Sequence, residues 1–417
     1  MKDAEQDGSG DLGQAIWERD EAFPKAGEGF GWMDRKGKRY AAGSMGELSR
    51  TIEEDRGCVI NLVWTPESRY CRVPEEVEVF EKPIREIRQR WAADDVTGAR
   101  GRMRWLGMGL LVFMGYLAIS GFARGGDVEL GERVGFFLNA LSRSPVVGMV
   151  LVGFLIFAFI PWYQAEKRMR EIAKAGGTYG VDGMVPLLRF EAWLGMQRAP
   201  VTWVLFVLMV GVAMVQMVHD RSLMVFQESV VDAGLVKNLY FAGEWWRLFT
   251  APMMHGGVVH LVMNLLALLY LGKRVEVFAR WPHVAMVFLF AALAGGEASA
   301  RFMGTTSVGA SGGLMGWLGF LLVFETLHAR LVPRSARRRL LSGVVMTGLI
   351  GLVGYRFIDN AAHLGGLVAG MAYAVIVFPK SSSVMRPRMT VSDRVLGVVS
   401  LGVIGIAAGG AVLKILG

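Results

Sequence analysis

The chain runs to 417 residues, of which 53% are hydrophobic and only 20% charged, with 54 glycines and a mean hydropathy of +0.38. That balance excludes an ordinary soluble enzyme and a disordered chain, and it matches helices that cross a bilayer, where glycine is frequent. The net charge of +8 falls largely in short loops between apolar runs, so it reads as a topology signal and not as a nucleic-acid surface.

Residues 1–104 are polar and mixed, and read as a small α+β domain on the cytoplasmic side whose first ~20 residues are disordered. "SMGELSRTIEEDRG" (44–57) opens on a serine suited to an N-cap and closes on glycine, which predicts a helix. "CVINLVWTP" and "YCRVPEEVEVF" predict strands, the second because its valines alternate from Val77. "KPIREIRQRWAADD" predicts a charged helix leading to the membrane. The two cysteines, Cys58 and Cys71, are expected as free thiols in such a segment and make poor zinc ligands without a histidine pair nearby. The first apolar run begins only near Trp105, so no signal peptide is expected.

Two apolar runs follow, 105–122 and 145–163, each close to the ~20 residues that span a bilayer. They predict a two-span hairpin over 105–163, followed by a basic linker, 164–199. Seven further runs lie near 200–218, 256–272, 283–302, 309–327, 340–355, 361–378 and 395–416, which makes nine candidate spans. Lys and Arg number six in 164–199, three in 273–282, five in 329–339 and four in 379–394. The alternate connections are poorer: three in the longer 219–250, none in 303–308, and only Arg356 in 356–360. The bias predicts residues 1–104 inside and the C-terminus outside. Ser311, His260 and His363 then open their spans near the outer face.

Polar groups inside apolar runs are functional by default, and each here also has a plainer reading. Gly312 and Gly316, next to Ser311, form a small-x3-small pattern that packs helices closely, so Ser311 alone reads as a packing residue. His363, Gly366 and Gly370 share one helical face, and alone His363 reads as an interhelical hydrogen-bonding group. Together, two glycine-striped helices packed backbone to backbone would bring the Ser311 hydroxyl within hydrogen-bond reach of His363, as base-activated nucleophilic attack requires. His260 and Asn264, four apart on one face, supply donors for an oxyanion. His255, five before His260, is expected to point elsewhere, and with no carboxylate close by this spacing disfavours a metal site. No cofactor is implied. Asp359, four before His363, reads as a helix cap. Glu297, near an outer end, is read as the one charge inside the spans.

The segments "GEWWRLFTAPMMHGGVVHLVMNLLALLYLG", "GASGG" and "AHLGGLVAG" together resemble the rhomboid intramembrane serine proteases over roughly residues 200–378. The resemblance implies an all-α polytopic fold: a six-span core with one further span over 379–417, to which the two N-terminal spans and the α+β domain are additions. It implies Ser311 as nucleophile, His363 as general base, and His260 and Asn264 with the Ser311 backbone N–H as oxyanion hole. Gly309, Gly312, Gly366 and Gly370 would shape the site, and Trp246 and Arg247 match the tryptophan–arginine segment of the long first loop. The implied substrate is a transmembrane helix of another membrane protein, weakened as a helix and with a small side chain before the cut, and the implied setting is the lipid bilayer of a bacterial cell membrane. One departure stands out: many members carry an aromatic four residues after the nucleophile, where this chain has Met315, and Trp317 is on the wrong face to replace it. The rival readings are a catalytically silent relative that binds transmembrane helices, and a solute transporter, which would call for inverted repeats and midplane charges.

Overall fold

The computed structural model describes residues 13–124, 129–143, 145–174, 181–355 and 358–417, in two compact units. One comprises Phe23–Ala192 and Gly343–Ile358, the other Met1–Ala22, Trp193–Ser342 and Asp359–Gly417.

The first unit opens on a three-stranded antiparallel sheet in the order β2-β1-β3, with β1 at Phe30–Asp34, β2 at Arg39–Ala42 and β3 at Ile60–Trp64. The β1–β2 turn is held by Asp34, whose Oδ1 accepts the N–H groups of Lys36 and Lys38 at 2.8 and 2.9 Å. Helix α1, Met45–Glu54, starts where expected because Ser44 Oγ accepts the Glu47 N–H at 3.2 Å, and Leu48 and Ile52 on its inner face meet Val63 and Phe80 in the core. The predicted strand from Val77 does not form. The stretch before it makes two isolated bridges, Tyr70 with Lys25 and Arg72 with Val63, after which Pro74 starts a 3-10 turn, Pro74–Glu76, and Glu78–Phe80 makes another. Proline lacks the N–H a ladder needs but fits the first helical position, and the Glu76 carboxylate caps the Val73 N–H at 3.2 Å. Cys58 and Cys71 stand as free thiols.

Helix α2 runs unbroken over Glu81–Arg124, charged in its first half and apolar in its second, where Trp105, Leu111, Val112 and Ile119 are exposed. Then come α3 (Leu130–Arg143), α4 (Pro145–Phe154), a single π turn at Leu155–Phe159, and α5 (Ile160–Lys174). The π turn falls just before Pro161, which has no N–H to continue the regular ladder. Helix α6, Val181–Met196, together with α5 makes most of the expected 164–199 linker helical.

In the second unit, two 3-10 turns, Ile16–Glu18 and Asp20–Ala22, precede Trp17's burial: its Nε1 donates to the Leu331 carbonyl at 2.9 Å. Residues 13–20, expected to be disordered, are therefore ordered by a buried indole; residues 1–12 lie outside the described residues. The bundle comprises α7 (Pro200–Asp220), the short loop helices α8 (Glu228–Ala233), α9 (Lys237–Phe241) and α10 (Arg247–Thr250), then α11 (Val258–Ala279), α12 (Trp281–Phe302), α13 (Ser311–Leu327), the first part of α14 (Arg334–Val353, of which the residues from Gly343 belong to the first unit), α15 (Asn360–Val377) and α16 (Val391–Leu416). Helix α12 packs against both α13 and α15, and these three form the centre.

Among the described residues seven helices are long and apolar enough to cross a membrane, against the nine spans expected. Helix α13 has 17 residues, just under the 18 that a span of this kind takes. Helix α14 begins on a basic turn, Arg334 to Arg339, so its apolar part starts only at Leu340.

Buried charge at the end of the bundle away from Ser311 corrects the reading of Glu297 as the one intramembrane charge. Glu325 of α13 accepts a two-pronged contact from Arg274 of α11, at 2.5 Å from Nε and 2.9 Å from Nη2, and burial is nearly complete for both. Beside it, Glu276 caps α7 from α11: its carboxylate takes the N–H groups of Val201 and Thr202 and the Thr202 hydroxyl, where Ala199 at the N-cap has no side-chain acceptor. Glu325→Gln should strand a buried guanidinium and cost about 3–5 kcal/mol, whereas the double change Arg274→Met/Glu325→Leu should recover most of it. Thermal unfolding in detergent checks both.

Candidate active site

Helices α13 and α15 meet backbone on backbone. A β-carbon on Gly366 would lie 2.0 Å from the Gly312 carbonyl oxygen, and one on Gly370 would lie 1.9 Å from that of Gly316. No residue larger than glycine permits that approach, so the two glycine pairs set the separation of the helices. Ser311 is the first residue of α13 and His363 lies in the first turn of α15, so the contact sets them side by side at one end of the bundle, both half-buried.

The turn into α13 is built on Gly309, at φ +119°, a conformation that favours glycine. Its N–H donates to the Ala251 carbonyl at 3.0 Å. A β-carbon there would stand 2.7 Å from Cε1 of His260 and 3.8 Å from Nδ2 of Asn264, so α11 presses its two polar residues against the backbone just before Ser311. Asn264, buried, spends one N–H on the His260 carbonyl at 2.9 Å, which orients its amide and leaves the second N–H. His363 is close enough to His260 for its charge to act on that ring. His255 does not point elsewhere as expected. It is wholly buried and lies edge-on to His260, ring centroids 5.3 Å apart, with its backbone gripped by Gln216 through bonds of 2.9 and 3.0 Å.

Neither the Ser311 hydroxyl nor the His363 ring makes a side-chain hydrogen bond to another described residue. The glycine contact fixes the helices, but nothing holds the imidazole's rotamer, and among the described residues no aromatic ring stacks on it. That fits Met315 at the position where an aromatic was anticipated. Trp317 is indeed turned away, fully buried, donating to the Val284 carbonyl at 2.9 Å beside Phe288.

Two polar networks brace this end. In the first, Arg247 is buried with its guanidinium on the carboxylate of Glu244 at 2.7 Å and the carbonyls of Val231 and Gly234 at 2.8 Å each, over the Trp246 ring at 4.6 Å. The tryptophan–arginine segment thus ties the long loop to itself, and Lys414 of α16 stands over the same Trp246 ring at 4.9 Å. The second network was not read from the sequence. Asp359 caps α15, its Oδ1 accepting the Ala362 N–H at 2.9 Å, while its Oδ2 takes the hydroxyls of Ser299 and Ser307 at 2.5 Å each. Lys237 of α9 donates to Ser299 at 2.7 Å. A buried lysine in the loop between α7 and α11 was the one available signal.

These helices define the class: an integral, multi-pass α-helical membrane protein. Residues 242–380 match the family model of the Rhomboid domain. It is 33% identical over 162 residues to the rhomboid protease GluP of Bacillus subtilis, covering 37% of this chain and 31% of that protein. It is 34% identical over 151 residues to the mitochondrial RHOMBOID-like protein 6 of Arabidopsis thaliana, covering 35% and 48%. With RHOMBOID-like protein 4 of the same plant the figures are 31% over 147 residues, 34% and 37%. The matched region thus spans 31 to 48% of the length of these relatives.

Burial holds the Lys237 ammonium down at about 8, against the raising effect of Asp359. An amine whose pKa is lower folded than unfolded binds fewer protons in the folded state between about 8 and its ordinary value near 10.5, so stability should rise with pH across that window and stay flat below it. Unfolding midpoints at pH 7, 9 and 10 should show this rise in the wild type minus Lys237→Met difference, because the variant has no group there to titrate.

Proposed function

We propose that the chain is an intramembrane serine endopeptidase that cleaves transmembrane segments through a Ser311–His363 dyad. The observation that supports this is the glycine contact between α13 and α15, which joins the helix that starts on Ser311 to the helix whose first turn holds His363, while His260 and Asn264 flank the turn at Gly309. The name of the Bacillus subtilis relative, a rhomboid protease, supports the same reading.

In this reading a ring nitrogen of His363 takes the Ser311 proton as Oγ attacks the scissile carbonyl carbon. The oxyanion formed is held by the second N–H of Asn264, by His260, and by the Ser311 backbone N–H, which lies in the first turn of α13 and so has no intrahelical acceptor. The imidazolium then protonates the leaving amine and the C–N bond breaks. Water, deprotonated by His363, attacks the acyl-enzyme, and Ser311 leaves with its proton restored. Both dyad helices begin at the same end of the bundle, so water need enter only a short way to reach the bond. The substrate is a transmembrane helix partly unwound at the cut, since an intact helix shields its amides.

In this reading the basic connections are cytoplasmic, so that end of the bundle faces outside and residues 1–104 lie inside, and the setting is a bacterial cell membrane. In the same proposal residues 1–104 form an α+β domain, 105–163 a two-span hairpin, 164–199 a linker, 200–378 the protease core and 379–417 its extra span.

Purified chain and a model transmembrane substrate should give cleavage that falls below about one-thousandth in Ser311→Ala and in His363→Ala. Asn264→Ala should lose about 10²–10³-fold with the dyad intact. Cleavage that survives both dyad changes, or a fluorophosphonate that labels Ser311→Ala as well as wild type, would refute the assignment.

A further inference from the structure

At the end of the bundle opposite Ser311, a cavity of about 500 Å³ opens where α13 and α15 finish and where α12 and α16 start. Arg386, Arg388, Ser381, Ser383, His328 and Asp393 are among the side chains that line it.

The charges around it do not balance. Arg386 is half-buried and spends one N–H on the Val277 carbonyl at 3.0 Å. The neighbouring charge that acts on it is another cation, Arg280, and this repulsion adds to burial in pushing the Arg386 guanidinium below its ordinary range. Arg280 sits at φ +76°, outside the usual range for a side-chain-bearing residue, and its buried Nε has no hydrogen-bond partner. Arg388 is exposed at the rim. Among the described residues none of these three guanidiniums forms an ion pair. The one lining carboxylate, Asp393, is engaged elsewhere: it accepts the Thr390 N–H at 2.7 Å as a helix cap and lies 3.9 Å from His283 Nε2.

The hydroxyls are oriented to donate. Ser381 Oγ accepts the Ser383 N–H at 3.1 Å and Ser383 Oγ accepts the Met385 N–H at 3.0 Å, which leaves each O–H free. Guanidiniums that form no ion pair with the one carboxylate of a partly desolvated pocket, with two hydroxyls beside them, match a tetrahedral oxyanion. A metal does not fit, since no three metal-ligating side chains come together among the described residues. The site also lies at the depth where membrane helices end, which is where lipid phosphates sit.

We propose that this cavity is a phosphate-binding site, in which Arg386 and Arg388 with the Ser381 and Ser383 hydroxyls hold a phosphate group carried by a membrane lipid or free in solution.

The test is binding to the full chain in detergent, followed by thermal shift and native mass spectrometry. The probes are dioctanoyl phosphatidic acid, inorganic phosphate, and dioctanoylglycerol as the phosphate-free control. Phosphatidic acid binding with no effect of inorganic phosphate assigns a lipid source, and binding of inorganic phosphate at equal strength assigns a free one; dioctanoylglycerol should do nothing in either case. Arg388→Gln, exposed and so dispensable for folding, should weaken binding about tenfold, as expected for one hydrogen bond to a charged group. Arg386→Gln should weaken it at least as much, and Arg221→Gln, at the other end of the bundle, should leave it unchanged. Absence of binding by either phosphate probe, equal binding of dioctanoylglycerol, or unchanged affinity in both Arg386→Gln and Arg388→Gln would overturn the proposal.

Discussion

Where α13 crosses α15, two carbonyl oxygens of one helix occupy the space that β-carbons at Gly366 and Gly370 would fill on the other. In a bilayer the tails outside are as apolar as the side chains inside, so helices associate through van der Waals contact and close approach, not through a hydrophobic gain. The glycine pairs supply that contact and, because they are a helical turn apart, set the crossing along a line and not at a point. Ser311 precedes Gly312 by one residue and His363 precedes Gly366 by three, so one constraint of packing fixes both. Helix α12 adds to it: a β-carbon on Gly295 would stand 2.6 Å from the Ala362 carbonyl, beside His363. The histidine helix is therefore held from two sides by backbone contact.

Contact of this kind fixes position along and across the helices but leaves their ends free, and the polar networks supply what is missing. Asp359 does two tasks with one carboxylate, since one oxygen caps α15 and the other gathers Ser299 from α12 and Ser307 from the segment leading to Ser311. The backbone repeats the tie, because Leu235 and Ser307 exchange N–H to carbonyl bonds at 2.9 and 3.2 Å. The long loop is thus fastened to the strand-like stretch before the nucleophile, while Arg247 fastens the loop to itself. Removing water from so many polar groups is tolerable only because each finds a partner.

The glycine contact and the Asp359 cap were legible in the sequence because both are local: a small residue every fourth position marks a helical face, and an acid before a helix start marks a cap. Lys237, Ser299 and Ser307 were not, since their partnership joins residues 62 and 52 positions apart and no spacing rule reaches so far. His255 was misplaced for a related reason. Counting i,i+5 around a helix assumes that both residues are helical, but α11 begins only at Val258, so His255 lies in a loop free to fold back on His260. The N-terminal sheet was half legible. Strand β3 is an apolar run broken only by Asn61, whereas β1 contains Gly31 and β2 starts on Arg39, so neither gives an alternation to count. The lost strand after Arg72 shows the converse error, where alternating valines outvoted a proline.

The proposed oxyanion side of the site and its proposed base side are organised on different principles. Asn264 is oriented by its own helix, since its bond to the His260 carbonyl fixes where the second N–H points before any substrate arrives. His260 is confined in turn by the bare backbone of Gly309, where any side chain would drive the imidazole out, and by His255 at its edge. Those donors are pre-organised, which is what electrostatic stabilisation of a transient charge requires. The base is different. His363 has a fixed backbone, no hydrogen bond on its ring and no ring stacked upon it. In the proposed dyad, its alignment toward Ser311 would be completed by what enters the cleft.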